Sequence, residues 1–339
     1  MTEEPKIRIA VDAMGAELGP SAVIGGVLRV KPTRPLALLL VGEEALIESE
    51  LARAEWAEQI DITILDAPGV VDMQEDPVQA LRRKDTSIAV GLRSIREGIA
   101  DAFISAGNTG AVMATALLTL GRLRGVSRPA ILTLMPTPGG PSVLLDVGAN
   151  VDCTPADLWG FAVMGKVYAQ RVLGRESPRV GLLSIGSEQS KGNELTRATY
   201  RLLDAAPIDF VGNVEGRDIV SGDVDVIVAD GFVGNVVLKF GEGLAEMLVH
   251  TLREEVLSTS VPPDVTPVVK TIFDKVRKRI DYSEYGGAPL LGTSGVCIIC
   301  HGGSSARAFT NAVIVAGESV AHDLNRHIVE EMQQLQGVK

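Results

Sequence analysis

The sequence predicts an α/β protein organised around a mostly parallel but mixed sheet. Three observations carry that reading. Short apolar, β-branched runs alternate with helical patterns along the chain, the order that parallel strands joined by crossover helices produce. The run at 224–229 (VDVIVA) has the pattern of a strand buried on both faces. Residues 129–135 and 142–147, joined by PTPGGP, read instead as an antiparallel hairpin with a longer turn.

From the N-terminus, residues 7–12 (IRIAVD) form the first strand, and the polar, glycine-rich AMGAELGP leads into a short helix. Residues 36–42 and 60–65 are further strands, with a helix over 43–56 between them. Asp76-Pro77 starts the next helix, because proline suits the first helical position. Arg82, Arg83 and Lys84 end it with charges that favour the C-terminal dipole. A helix over 87–97 feeds the strand 102–105. Beyond the hairpin come a long helix over 156–173, a strand at 180–185 and a helix over 194–203.

The chain is organised around 213–243. Its strand ends at Asp230, Gly231 and Gly234 supply a turn, and Asn235 opens a helix running towards Glu255. Lys239 follows Asn235 by one turn on the same helical face. Gly241 and Gly243 are expected to weaken that helix. SVPPD at 260–264 reads as a loop, so one domain is expected over 1–339, with a sub-lobe or protruding helical segment at about 250–285.

Bulk properties narrow the function. Of 339 residues, 46% are hydrophobic but only 4% aromatic, so small aliphatics fill a sizeable core. A net charge of −11 argues against nucleic acid as a partner. Cys297 and Cys300 form a CxxC inside an apolar run without a second pair, which favours buried thiols over a zinc or redox site. No metal and no cofactor are expected. The N-terminus lacks signal-peptide anatomy, and no run reaches the roughly 18 apolar residues that span a bilayer. A cytoplasmic protein is expected.

Five strand-like runs end in glycine or alanine followed by asparagine, at Asn108, Asn150, Asn193, Asn213 and Asn235. Any single one reads as turn or cap chemistry. Five at comparable positions read as a ligand rim, because ligands gather beyond the carboxyl ends of parallel strands. Asp12, Asp146 and Asp230 repeat the pattern with acids, and Lys191 follows a strand and a short loop. HGGSS at 301–305 leads into a helix whose N-terminus could hold an anion, with His301, Gly302 and Ser304 in the loop. The chain has no GxGxxG, GxxxxGK[ST] or GxSxG motif.

Together, DAMGAELGP (12–20), ISAGNTGAVMA (104–114), LLDVGANVDC (144–153), LLSIGSEQSKGNE (182–194), GNVEGRDI with ADGFVGNVVLK (212–239), YGGAPLLG (285–292) and HGGSSARAFTNA (301–312) resemble the PlsX family of bacterial phosphate acyltransferases. The chain departs at Ser184 and Ser187, where the family usually has Asn and Glu. The resemblance implies a three-layer α/β/α fold like that of phosphotransacetylases and isocitrate/isopropylmalate dehydrogenases. It implies acyl transfer from acyl-[acyl carrier protein] to inorganic phosphate, supplying acyl phosphate for phospholipid synthesis. It also implies a homodimer beside a membrane-embedded glycerol-phosphate acyltransferase, peripheral to the inner face of the membrane.

In that chemistry phosphate is the nucleophile and no acyl-enzyme is needed. Lys191 and Asn235 are then the expected catalytic residues, Lys191 for phosphate or thiolate charge and Asn235 for the carbonyl oxygen. Asp12, Asn108, Asp146, Asn193, Asp230, Lys239, His301, Gly302 and Ser304 would bind or position substrate. Two rivals stand beside this reading, a phosphotransacetylase acting on acyl-CoA and a non-catalytic membrane scaffold. In 267–280, Val269, Ile272, Phe273, Val276 and Ile280 recur at helical spacing among Lys270, Lys275, Arg277, Lys278 and Arg279. That segment reads as a core-facing surface helix, or as a contact for the membrane or the acidic carrier protein.

Overall fold

The computed structural model describes residues 5–54, 60–258, 265–280 and 286–336. The strands are β1 (Ile7–Asp12), β2 (Leu36–Gly42), β3 (Ile60–Asp66), β4 (Ala102–Ser105), β5 (Ala130–Met135), β6 (Ser142–Leu145), β7 (Val180–Leu183), β8 (Phe210–Val214), β9 (Val226–Val228), β10 (Ala288–Leu291) and β11 (Val296–Ile299). They form one 11-stranded sheet in the order β3-β2-β1-β4-β11-β10-β5-β6-β9-β7-β8. Neighbours from β3 to β11 pair in parallel, as do β6, β9, β7 and β8. Between these blocks, β11/β10, β10/β5 and β5/β6 are all antiparallel. Three reversals are an odd number, so the two parallel blocks run in opposite directions.

That reversal corrects the expectation of a single asparagine rim. Strands β4 and β11 deliver their loops to one edge of the sheet, whereas β6, β7 and β9 deliver theirs to the other.

Among the described residues the α-helices are α1 (Pro20–Val27), α2 (Glu44–Leu51), α3 (Pro77–Ala80), α4 (Ser87–Arg96), α5 (Thr109–Leu120), α6 (Pro155–Arg171), α7 (Glu194–Asp204), α8 (Gly231–Ser258), α9 (Thr266–Ile280), α10 (Ala306–Ala321) and α11 (Leu324–Gln336), with a 3-10 turn at Gly216–Val220. On one face Ile9, Val11 and Leu38 pack with Ile24 and Phe309, and further along Leu132, Val143 and Val226 pack with Phe161 and Tyr168. The opposite face, with Ala10, Phe103, Ile131 and Leu144, packs on α4, α5 and the start of α8. The layers are therefore α/β/α. Each face follows from the two-residue alternation of side chains along a strand.

Several boundaries differ from expectation. The helix placed at 43–56 ends at Leu51, and 55–59 lie outside the described residues, as does the break at 260–264. The helix after Asp76 is a single turn, so Arg82–Lys84 lie past its end, where Arg83 instead pairs with Glu75 at 3.2 Å. Gly231 and Gly234 are not a turn: α8 already begins at Gly231, with the Asp230 carboxylate accepting from Val233 N at 2.9 Å. A Cβ on Gly234 would lie 1.9 Å from Asp146 O, and one on Gly231 2.5 Å from Asn150 O. These glycines let the first turn of α8 press onto the 146–150 loop. Gly241 and Gly243 do not interrupt the helix.

Helix α9 packs against α8. Val269 and Phe273 are half-buried, but Ile272 and Val276 are 57% and 37% exposed. Among the described residues the stripe is thus not core-facing, and the side chain of Ile280 lies outside them. Lys270, Lys275 and Arg277 are exposed, while the side chains of Lys278 and Arg279 lie outside the described residues.

Candidate active site

A cavity of about 190 Å³ lies over the middle of the sheet, where the two blocks meet. Its floor includes Ile131, Thr133, Ala288 and Ile299, from β5, β10 and β11. Asn235, Lys239 and Glu242 reach it from α8. They recur at i, i+4 and i+7, so one helical face carries all three. A helix following a strand returns across the sheet, and α8 thereby brings residues from the β9 edge back to the opposite edge. There they meet His301 and Ser304 from the loop after β11, and Thr109 from the first turn of α5.

The polar groups are chemically distinct. Lys239 Nζ lies 2.8 Å from Glu242 Oε2, so an anion entering the cavity meets a lysine already paired with a carboxylate. His301 Nδ1 accepts from Gly303 N at 3.2 Å, which leaves Nε2 to carry the ring proton and act as the donor. Ser304 is buried and its backbone N–H donates to His301 O at 2.9 Å. The N-terminal ends of α5 and α10 add their partial positive charge near the same space.

Other expected residues act as struts. Asn108 caps α5 by accepting from Ala111 N at 3.0 Å, and its amide donates to the carbonyls of Met73 and Glu75 at 3.0 and 2.9 Å. Both ends of that side chain are occupied within the protein. Asp12 accepts from Met14 N and Gly15 N at 3.0 Å and from Ser105 Oγ at 2.6 Å, tying the loops after β1 and β4 together. Asp146 accepts from Ile131 N, Ala149 N and Asn150 N and so braces the loop under α8. Burial raises both carboxyls above their ordinary range, although these hydrogen bonds oppose the shift. Gly302 packs against Glu17, and a Cβ there would meet Glu17 Oε1 at 2.5 Å.

Lys191 and Asn193 follow β7 and do not line this cavity. Asn193 caps α7, accepting from Thr196 N at 2.9 Å, and Lys191 is exposed. Nearby, Ser184 Oγ and Asn213 Oδ1 are buried without a hydrogen-bond partner among the described residues. The sequence reading missed Glu242 and Thr133. Glu242 was legible as the third member of the Asn235–Lys239 face. Thr133 gave only the weak signal of a hydroxyl inside an apolar strand. Among the described residues, no group of three or more His, Cys, Asp and Glu side chains could hold a metal ion. Burial pushes the thiols of Cys297 and Cys300 up to about 12, which keeps them protonated at neutral pH.

Residues 7–327 match the family described as fatty acid synthesis protein. The chain belongs to this family. The phosphate acyltransferase of Pelotomaculum thermopropionicum is 47% identical over 331 residues, covering 97% of this chain and 96% of its own length. That of Desulforamulus reducens is 49% identical over 334 residues, covering 98% and 99%. These matches bear out the PlsX resemblance read from the motifs. In fold, a phosphotransacetylase from Streptococcus pyogenes superposes with a TM-score of 0.60 at 18% identity, over 93% of this chain and 94% of its own. A 4-hydroxythreonine-4-phosphate dehydrogenase from Klebsiella pneumoniae gives 0.54 at 12% identity, over 95% and 100%. The α/β fold shared with phosphotransacetylases is therefore as expected.

Proposed function

We propose that the chain transfers a fatty acyl group from acyl-[acyl carrier protein] to inorganic phosphate, yielding acyl phosphate for phospholipid synthesis. The observation that carries this is the composition of the cavity. It combines a lysine, an imidazole donor, a carboxamide and hydroxyls, and because His301 Nδ1 accepts from Gly303 N–H the neutral ring presents Nε2–H as a donor rather than a base that would activate a serine. Such a site suits an external nucleophile. A phosphate oxygen attacks the thioester carbonyl, the tetrahedral oxyanion collapses, the C–S bond breaks and the pantetheine thiolate leaves to take up a proton. Asn235 is assigned to the carbonyl oxygen, and Lys239, His301 and Ser304 to phosphate. Lys191, which with Asn193 lies outside the cavity, is assigned to the charge of the departing thiolate. Asp12, Asn108, Asp146, Asp230 and Gly302 position the loops.

The same reading holds that the protein works in the cytoplasm as a homodimer, with peripheral contact to the inner face of the membrane. It also holds that α9 receives the acidic carrier protein on Lys270, Lys275, Arg277, Lys278 and Arg279. The exposed Ile272 and Phe240, at 57% and 70%, support an apolar contact beyond this chain. No described helix is long and apolar enough to cross a membrane.

The test is phosphate-dependent release of free thiol, measured with acyl-carrier protein and acyl-CoA side by side. The expected result is release from acyl-carrier protein, with kcat/KM falling on the order of a hundredfold in Asn235→Ala. Lys191→Ala and Lys239→Ala in the same assay identify the lysine that supplies the charge. Preference for acyl-CoA would support the phosphotransacetylase reading, and no release from either donor would support the scaffold.

A further inference from the structure

We infer that the apolar trough between α8 and the β5–β6 hairpin holds the fatty acyl chain, and that Gly241 and Ala245 set the length it admits. The inference rests on the acyl-transfer reading and extends it to substrate selection.

The trough is a second cavity, of about 460 Å³, within the roughly 300–1,000 Å³ typical of small-molecule sites. It adjoins the polar cavity, since Thr133, Leu134, Leu238 and Glu242 line both. Beyond that junction the walls turn apolar. Leu238, Gly241, Ala245 and Leu248 form one side, and their spacing of three, four and three residues puts them on a single face of α8. Met135, Pro136 and Pro138 face them from the hairpin, and Val220 also lines the trough. From Asn235 to Leu248 the helix advances about 20 Å, a length suited to a long acyl chain whose carbonyl sits at Asn235.

Gly241 is the informative position. A glycine inside a helix is destabilising relative to alanine. At Gly231 and Gly234 close backbone contact explains that cost. Gly241 has no such contact, since a Cβ there would meet only Met135 Cε at 3.5 Å, an ordinary van der Waals separation. Its φ is not among the positive ones either. Neither packing nor backbone conformation demands glycine, and what its small size preserves is the open trough. Ala245, one turn on, continues the narrow wall.

The experiment compares hexanoyl-, decanoyl- and palmitoyl-carrier protein with the full-length protein and with Gly241→Leu and Ala245→Leu. In Gly241→Leu the palmitoyl-to-hexanoyl ratio of kcat/KM should fall about tenfold or more. In Ala245→Leu, whose block lies about 6 Å farther along the helix, the palmitoyl-to-decanoyl ratio should fall while the decanoyl-to-hexanoyl ratio holds. Thermal melting checks that both variants fold, and either variant alone can show the shift. Equal losses on all three substrates, or an unchanged profile, would overturn the assignment. A change only in sedimenting mass would do so too, by giving the trough to a second copy of the chain. Wild-type protein that releases no thiol from any donor would instead defeat the acyl-transfer reading on which the inference rests.

Discussion

Asp12 is fully buried beneath the loop it organises, and the hydrogen bonds it accepts, from Met14 N, Gly15 N and the Ser105 and Ser87 hydroxyls, come from neutral donors. Burial is the larger influence on this carboxyl and raises it above its ordinary value of 3.8, with the Ser105 hydroxyl opposing. The folded chain therefore holds the proton more tightly than the unfolded chain does. The associated stability is fully present below the unfolded value and is lost as pH rises through the folded one. Urea unfolding of wild type and Asp12→Asn should accordingly show a wild-type advantage that shrinks as pH rises from about 4. A difference independent of pH would refute the argument. Asn108 teaches a related lesson, because a motif asparagine with both ends engaged by its own protein serves architecture. Its sequence cannot reveal that, since the carbonyls it binds, at Met73 and Glu75, are more than thirty residues away.

Among the elements, α8 links the two halves of the site. Its start is fixed by the Asp230 cap and by two glycines that touch the 146–150 loop, and its next two turns deliver Asn235, Lys239 and Glu242 to the cavity. The expected order of strand, glycines and helix was right, but the glycines proved to be the first helical turn. Sequence shows that a glycine is tolerated or needed, whereas only packing shows which atom would be struck. In Gly234→Ala the added methyl meets backbone rather than a flexible side-chain tip, so α8 must shift. We expect a loss of about 1–3 kcal/mol in denaturant unfolding, together with a fall in acyl transfer. Wild-type stability in that variant would show that the contact at Asp146 O is not close.

Across the whole molecule, opposed strand blocks dictate where loops can meet. Had all eleven strands run one way, the loops bearing Asn108, Asn193 and Asp230 would share an edge; three antiparallel pairings separate Asn108 from the other two. Helix α9 lies against α8 with Lys270, Lys275 and Arg277 exposed, on a chain whose net charge is −11. A local basic face on an acidic protein favours an acidic partner by steering its approach. Reversing Lys270, Lys275 and Arg277 to glutamate should raise the carrier-protein KM severalfold and flatten its salt dependence, with phosphate KM unchanged. If carrier-protein KM stays constant across salt concentrations, α9 is not the docking face.

The sequence by itself determined the α/β class, the hairpin that mixes the sheet, most strands to within two residues, and the family. Those depend on local periodicity and on motifs whose residues are contiguous. Only the tertiary structure decided which motif residues share a cavity and which act as struts, and that Gly241 stands beside open space. Direction of pairing, close approach and empty volume arise between segments far apart in the chain, where no local pattern records them.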